Sequence, residues 1–301
     1  MNIGKKIKDL RSSKMMTQKE LAGNEITRNM LSQIENGSAT PSISTVIYLA
    51  NRLGVPTGYL LADGDEEFLY NKISVMRNIK RAYTDGNYEL CREMCLASFD
   101  EYDDEIQLIL ADCCLGIASD SISKGRLYKA REFLDKSAIH AQESVYNTVA
   151  QVNKISLLFC FLKKISPTLD SDEIDTEAFE EGLSPLLFGD SFSRYIAILI
   201  AMDNYSGGGC NMLEGVGRMS PYDELFIKHI KAKQYIIDSD YGKAIKILKE
   251  LIDGDVVPPR LLLYLACSDM EQCCKQIGDY KLAYEFANNK MEILEHMLVE
   301  E

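Results

Sequence analysis

Arg28, Asn29, Ser32 and Gln33 fall within one six-residue stretch. Arginine matches guanine edges, asparagine and glutamine match adenine edges, and serine serves either a base or a phosphate. A DNA major groove admits one helix, which must point such side chains outward from its first turns. A second set is Asn147, Gln151 and Lys154, spaced i, i+4, i+7, with Arg194, Lys233 and Gln234 further along. An Asn or Gln amide donates and accepts at once, so it can pair with both groups of an extended peptide backbone. Each of these six is also an ordinary polar residue for an exposed helix face.

Other chemistry is not offered. No H-E-x-x-H, G-x-x-x-x-G-K-[ST] or G-x-S-x-G motif occurs. Gly207-Gly208-Gly209 lacks a following Lys, and Gly215-Val216-Gly217 does not follow a strand pattern. The cysteines are Cys91, Cys95, Cys113, Cys114, Cys160, Cys210, Cys267, Cys273 and Cys274, an odd number with no C-x-x-C. With only His140, His229 and His296 beside them, they give neither a disulfide framework nor a zinc set. They read as small buried hydrophobes on helices. The chain is expected to be no enzyme and to need neither cofactor nor metal.

The elements that would position the first set are short helices. Ile3, Ile7 and Leu10 share one helical face after Asn2. Thr17 caps a second helix, and Glu20 three residues later completes a capping box. Gly23-Asn24 breaks it. Thr27 caps a third, with Met30, Leu31 and Ile34 inward and Asn36-Gly37 at its end. Thr40-Pro41 opens a fourth with proline at its first position, and Ile43, Val46, Ile47, Leu49 and Ala50 form its apolar face. Gly54 stops it, and a last turn runs to Leu61. Two short helices joined by a tight turn inside a five-helix unit make a helix-turn-helix.

Residues 3–61 resemble the lambda-repressor-like (Cro/repressor, XRE) helix-turn-helix family. Thr17-Gln18, Ile34-Glu35-Asn36-Gly37 and Pro41-Ser42 carry the likeness. The resemblance implies that Gln18 and Asn36 contact phosphates. It puts Arg28, Asn29, Ser32 and Gln33 against bases and pairs Arg11 with Glu35 inside the domain; Thr17 and Thr27, at the starts of the two helices, complete the candidate DNA-binding set. The segment Leu21–Thr27 is one residue shorter than the family's usual connection.

At 301 residues, 46% apolar and 26% charged, the chain is long enough for about two globular domains. Its longest apolar runs, Tyr195–Met202 and Leu261–Cys267, are far short of the ~20 residues that span a bilayer. The first residues carry charge and no apolar core, so neither a signal peptide nor membrane attachment is expected, and the expected location is the cytoplasm. Net charge is −13, yet residues 1–61 carry +4, leaving −17 on residues 62–301. A basic head on an acidic body draws a polyanion to the head alone.

Beyond an acidic hinge at 62–67, residues 68–301 show a repeated signal. Gly86-Asn87-Tyr88, Gly125-Arg126-Leu127, Ser239-Asp240-Tyr241 and Gly278-Asp279-Tyr280 are each followed, three residues on, by a small side chain. Those are Cys91, Ala130, Ala244 and Ala283. Tyr88 to Leu127 and Tyr241 to Tyr280 are both 39 residues, which places further turns near residues 165 and 204. The pattern resembles the tetratricopeptide repeat and implies about six helix pairs. The acidic run 170–181 reads as a solvated segment.

The expected fold is therefore all-α: a five-helix DNA-binding domain at 1–61, then a tetratricopeptide-like right-handed superhelix at 68–301 for sensing and dimerisation. This architecture resembles the RRNPP peptide-pheromone receptors of Gram-positive quorum sensing. The resemblance implies a homodimer on a pseudo-palindromic double-stranded operator, with a short signalling peptide on the concave face. Two alternatives are a regulator without a ligand, whose repeats only dimerise or bind another protein, and a protein-sequestering adaptor.

Overall fold

The computed structural model describes residues 3–62, 65–99, 103–169, 184–204 and 222–299. Its regular elements are helical, and the chain divides into two compact units, Met1–Arg81 and Ala82–Glu301.

In the first unit, α1 (Ile3–Ser13), α2 (Gln18–Ala22), α3 (Arg28–Glu35), α4 (Ile43–Leu53) and α5 (Thr57–Leu61) enclose a core of Ile7, Leu21, Leu31, Ile34, Leu49 and Leu53. Both expected caps are present. Thr17 and Glu20 form the reciprocal capping box, and the Thr27 hydroxyl accepts from the Met30 N–H. Two details differ from the sequence reading. Ser42, not Thr40, caps α4, so Pro41 precedes the helix instead of opening it. Met30 faces outward from α3, whose buried residues are Leu31, Ile34 and Glu35, and Ile43 and Ile47 face outward from α4, whose buried stripe is Val46, Leu49, Ala50 and Leu53.

The stretch read as a hinge is partly helix. Asp65–Thr84 forms α6, and residues 63–64 lie outside the described residues. The start of α6 belongs to the first unit, since Tyr70 meets Tyr59 edge-on at 6.2 Å.

The second unit is built from helix pairs. Its described helices are α7 (Tyr88–Ser98), α8 (Asp104–Lys124), α9 (Leu127–Glu143), α10 (Val149–Ile165), α11 (Ser191–Asn204), α12 (Asp223–Ile237), α13 (Tyr241–Ile252), α14 (Arg260–Gln276) and α15 (Tyr280–Met297). The second helices expected after α10 and α11 fall on 170–183 and 205–221, outside the described residues, as do the acidic run and both glycine clusters. α10 and α11 end at Ile165 and Asn204, where the spacing puts the turns. The small residues Cys91, Ala130, Ala244 and Ala283 are all buried, and α9, α13 and α15 lie against α8, α12 and α14.

First helices neighbour one another in the order α8, α10, α11, α12, α14, and α14 also meets α8. At that junction a Cβ on Gly125 would come within 2.7 Å of Met297 Cγ and 3.0 Å of Arg260 Cδ. α8 is long and apolar enough to cross a membrane by length and composition, but 61% of that window is buried against protein. Of the eight described cysteines seven are buried, Cys160 is half-buried, and all are free thiols.

The repeated turn has one backbone form. Gly86, Gly125 and Gly278 take φ of 75°, 76° and 83°, and Ser239 takes 61° at the equivalent place. Asn87, Asp240 and Asp279 then cap the following helix by accepting an N–H three residues on. Left-handed backbone costs a residue with a Cβ about 1–2 kcal/mol, while glycine adds roughly 0.4–1 kcal/mol of unfolded-chain entropy. Ser239→Gly is therefore expected to stabilise the second unit by about 0.5–1 kcal/mol. An unchanged or lowered urea midpoint would contradict that.

Candidate nucleic-acid interface

The helix that the family resemblance sets against bases is α3, and its base is held by a polar chain. The Arg11 Nε donates to Glu35 Oε1 at 2.7 Å and its Nη2 to Oε2 at 3.2 Å. The Glu35 side chain is 1% exposed, so this is an enclosed bidentate pair. The hydrogen bond to Glu35 holds the Arg11 guanidinium above its ordinary pKa against the opposing effect of burial. Gln18 Nε2 donates to the same carboxylate at 2.8 Å, and Arg28 Nε reaches Gln18 Oε1 at 3.5 Å. One carboxylate thus fixes α1, α2 and the start of α3 together. The Arg11–Glu35 pairing is the one that the family resemblance implies.

On that base, Arg28, Asn29, Gln33 and Asn36 are exposed and Ser32 is half-exposed. Thr17 and Thr27 spend their hydroxyls as helix caps. Gln18 is half-buried and uses one amide hydrogen on Glu35, leaving the second for an outside acceptor. Lys6, one of the basic residues of the head, is buried and donates to the carbonyls of Tyr59 and Ala62. It closes the end of α5 and is not part of the exposed basic face.

The shortened connection between α2 and α3 is accommodated at Gly23. It takes φ 56° and ψ −133°, and an added Cβ would lie 2.3 Å from the Tyr48 hydroxyl, which donates to Ala22 O at 2.9 Å. Gly23→Ala combines a disallowed backbone with a steric overlap, an expected loss of about 2 kcal/mol or more. Amide exchange in α2 and α3 should quicken by about 30-fold; protection equal to wild type would refute the account.

A short capped helix, a tight glycine turn and a second helix that exposes Arg28, Asn29 and Gln33 define a DNA-binding helix-turn-helix domain of the XRE type. Residues 4–66 match the family described as "Helix-turn-helix domain". No curated protein matches the sequence. Among solved structures, the chain aligns with PlcR of Bacillus thuringiensis, in complex with the peptide PapR7 and DNA. Identity is 16%, coverage 99% of each chain and TM-score 0.24. It also aligns with the SHP pheromone receptor Rgg2 of Streptococcus dysgalactiae, at 14% identity over 96% of this chain and 99% of that chain, with a TM-score of 0.23.

The second set of polar residues is only partly brought together. Asn147 is not on the helix: α10 begins at Val149, and the Asn147 Oδ1 accepts the Val149 N–H at 3.0 Å. The i, i+4, i+7 face therefore loses its first member to a local turn. Gln151 Nε2 donates to Asp112 Oδ1 at 2.9 Å, and Lys154 pairs with Asp190 at 2.9 Å. Arg194 Nε donates to Phe188 O at 2.6 Å, and Gln234 Nε2 to Asp238 on its own helix at 3.1 Å. The amide oxygens of Gln151 and Gln234 are enclosed with no partner among the described residues.

Lys233 belongs to a network that the sequence reading missed. Its Nζ lies 3.3 Å from Asp269 Oδ1 and 3.7 Å from Asp203. Asp269 Oδ2 faces His229 Nε2 at 3.1 Å, and His229 Nδ1 meets the Tyr195 hydroxyl at 2.8 Å. Tyr195 stacks on Phe226 at 4.4 Å. Three first helices, α11, α12 and α14, are joined this way. A signal was present: 195 to 229, 233 to 269 and 229 to 269 are separations of 34, 36 and 40 residues, each close to the repeat period.

Proposed function

We propose that this protein is a cytoplasmic transcriptional regulator that binds a pseudo-palindromic operator as a homodimer and senses a short signalling peptide through its repeats. The observation that carries the DNA part is the exposure of Arg28, Asn29 and Gln33 on a helix whose base is locked by the enclosed Arg11–Glu35 pair. A rigid base is what fixes side chains for base readout. For the peptide part, Gln151 and Gln234 are half-buried on first helices of the repeat array, and a glutamine amide can both donate to and accept from a peptide backbone. A peptide alters DNA affinity only if it favours one dimer geometry, and a coupling of about 1–3 kcal/mol shifts affinity roughly 5–150-fold.

A second reading has its own support. Asn147, Lys154, Arg194 and Lys233 are already engaged within the chain, as a ligand-free array that only dimerises would have them. Selection of fragmented genomic DNA on the full chain at fixed salt, with and without a peptide fraction of the host's medium, separates the two. Inverted-repeat sites whose recovery responds to peptide support the sensor. The same sites without response support the ligand-free regulator. No enrichment in either condition refutes both and favours an adaptor.

A further inference from the structure

Met15 is held in a backbone form that a side chain disfavours, with that side chain in solvent. Its φ is 55°, in the left-handed region, and it is 93% exposed. It closes α1 as a Schellman turn: the Met16 N–H donates to Arg11 O at 3.0 Å and the Met15 N–H to Ser12 O at 2.9 Å. Glycine is the usual residue at that place, and Gly37, Gly54, Gly86, Gly125 and Gly278 fill it after other helices of this chain. Met16, the next residue, packs on the core of the first unit. Strained backbone and an exposed apolar chain both oppose folding, so Met15 gives the domain itself nothing. Strain of this kind persists where a function uses it.

The turn is fixed against both ends of α3. Arg11 Nη1 donates to Met16 O at 2.7 Å, and the same guanidinium meets Glu35 at the end of α3. Gln18, three residues after Met15, is reached by Arg28 at the start of α3. We propose that Met15 is a DNA contact, its thioether chain lying along the deoxyribose edge of the backbone beside α3. Lys14 and Lys19 are exposed on either side of the turn, and neither has an ion-pair partner among the described residues. Phosphates drawn to those two lysines bring the intervening sugars over Met15. The C–H face of a deoxyribose is apolar, and a flexible thioether conforms to it without directional demands. Such a contact carries no base information, so it adds affinity for every sequence alike and leaves discrimination to α3.

The inference rests on the DNA-binding part of the proposed function and on no peptide. Met15→Ala keeps the Cβ and the left-handed backbone and removes the thioether. Affinity of the full chain for the selected operator and for a scrambled duplex should both fall by about fivefold or more. The slope of log affinity against log salt should stay as in wild type, because no charge is lost. Lys14→Ala, by contrast, should flatten that slope by about one. Met15→Gly should lose the same affinity while the amides of α1–α3 become roughly two- to fivefold better protected, the strain being gone. Met15→Ala binding as tightly as wild type, losing affinity only with a flatter salt slope, or losing it on the operator alone would each overturn the contact while the DNA-binding reading stands. Unchanged protection in Met15→Gly would overturn the strain behind it. A wild type that binds no DNA would overturn the DNA-binding reading and the contact together.

Discussion

Arg28→Ala with Gln33→Ala is expected to lower affinity for the selected operator by about 100-fold or more, leaving weak, salt-dependent binding to any DNA. Each good bidentate contact discriminates by about 1–3 kcal/mol, and the proposed function assigns one to Arg28 and one to Gln33. Neither side chain enters the core of the first unit, so its fold should persist. Arg11→Ala is the contrasting control. It also lowers binding, but by leaving the Glu35 carboxylate enclosed without its guanidinium, and it should lower stability as well. Fluorescence anisotropy on the operator and on a scrambled duplex, beside circular dichroism, distinguishes the cases. Operator affinity unchanged in the folded double variant would remove α3 from the reading role.

The second large effect concerns stability. Asp269→Ala should cost the second unit about 3 kcal/mol, because it leaves the enclosed His229 with Tyr195 alone and Lys233 with only the longer contact to Asp203. Lys233 retains some solvent contact, which keeps the loss toward the low end of the range for broken buried pairs. Burial alone would raise the Asp269 carboxyl, but His229 and Lys233 outweigh it and hold its pKa below the ordinary value. The stabilisation is then complete above the usual carboxylate range. It fades as pH falls through that range and is gone below the depressed folded value. Asp269→Ala should accordingly show a flatter acid limb in urea midpoint against pH. A variant within about 0.5 kcal/mol of wild type at neutral pH would show the network to be dispensable.

What could be read from the sequence was what is local. Thr17 with Glu20, and Thr27 before α3, are decided within four residues, and the structure keeps both caps. The turns at Gly86, Gly125, Ser239 and Gly278 were legible because left-handed backbone narrows the choice of residue. Misreadings arose where a partner decides. Ile43 and Ile47 satisfy helical periodicity as well as Val46 and Ala50 do, but only one side of α4 has a core to face. Asn147 fits the spacing of a helix that starts two residues after it. The Asp269 network was present as spacings near the repeat period, and it needs three-dimensional neighbours to acquire meaning.

The meeting of α8 with α14 bears on how the second unit comes apart. In an open array each repeat touches only those beside it, so the ends can fray one unit at a time. Here the helix that leads the second pair also rests against the helix that leads the sixth, around Gly125, Arg260 and Met297. Peeling off the last pair exposes a surface on the second, and loosening the second releases the last. The array therefore melts as one body, and a strain applied at either end is felt at the other without passing through every repeat between them.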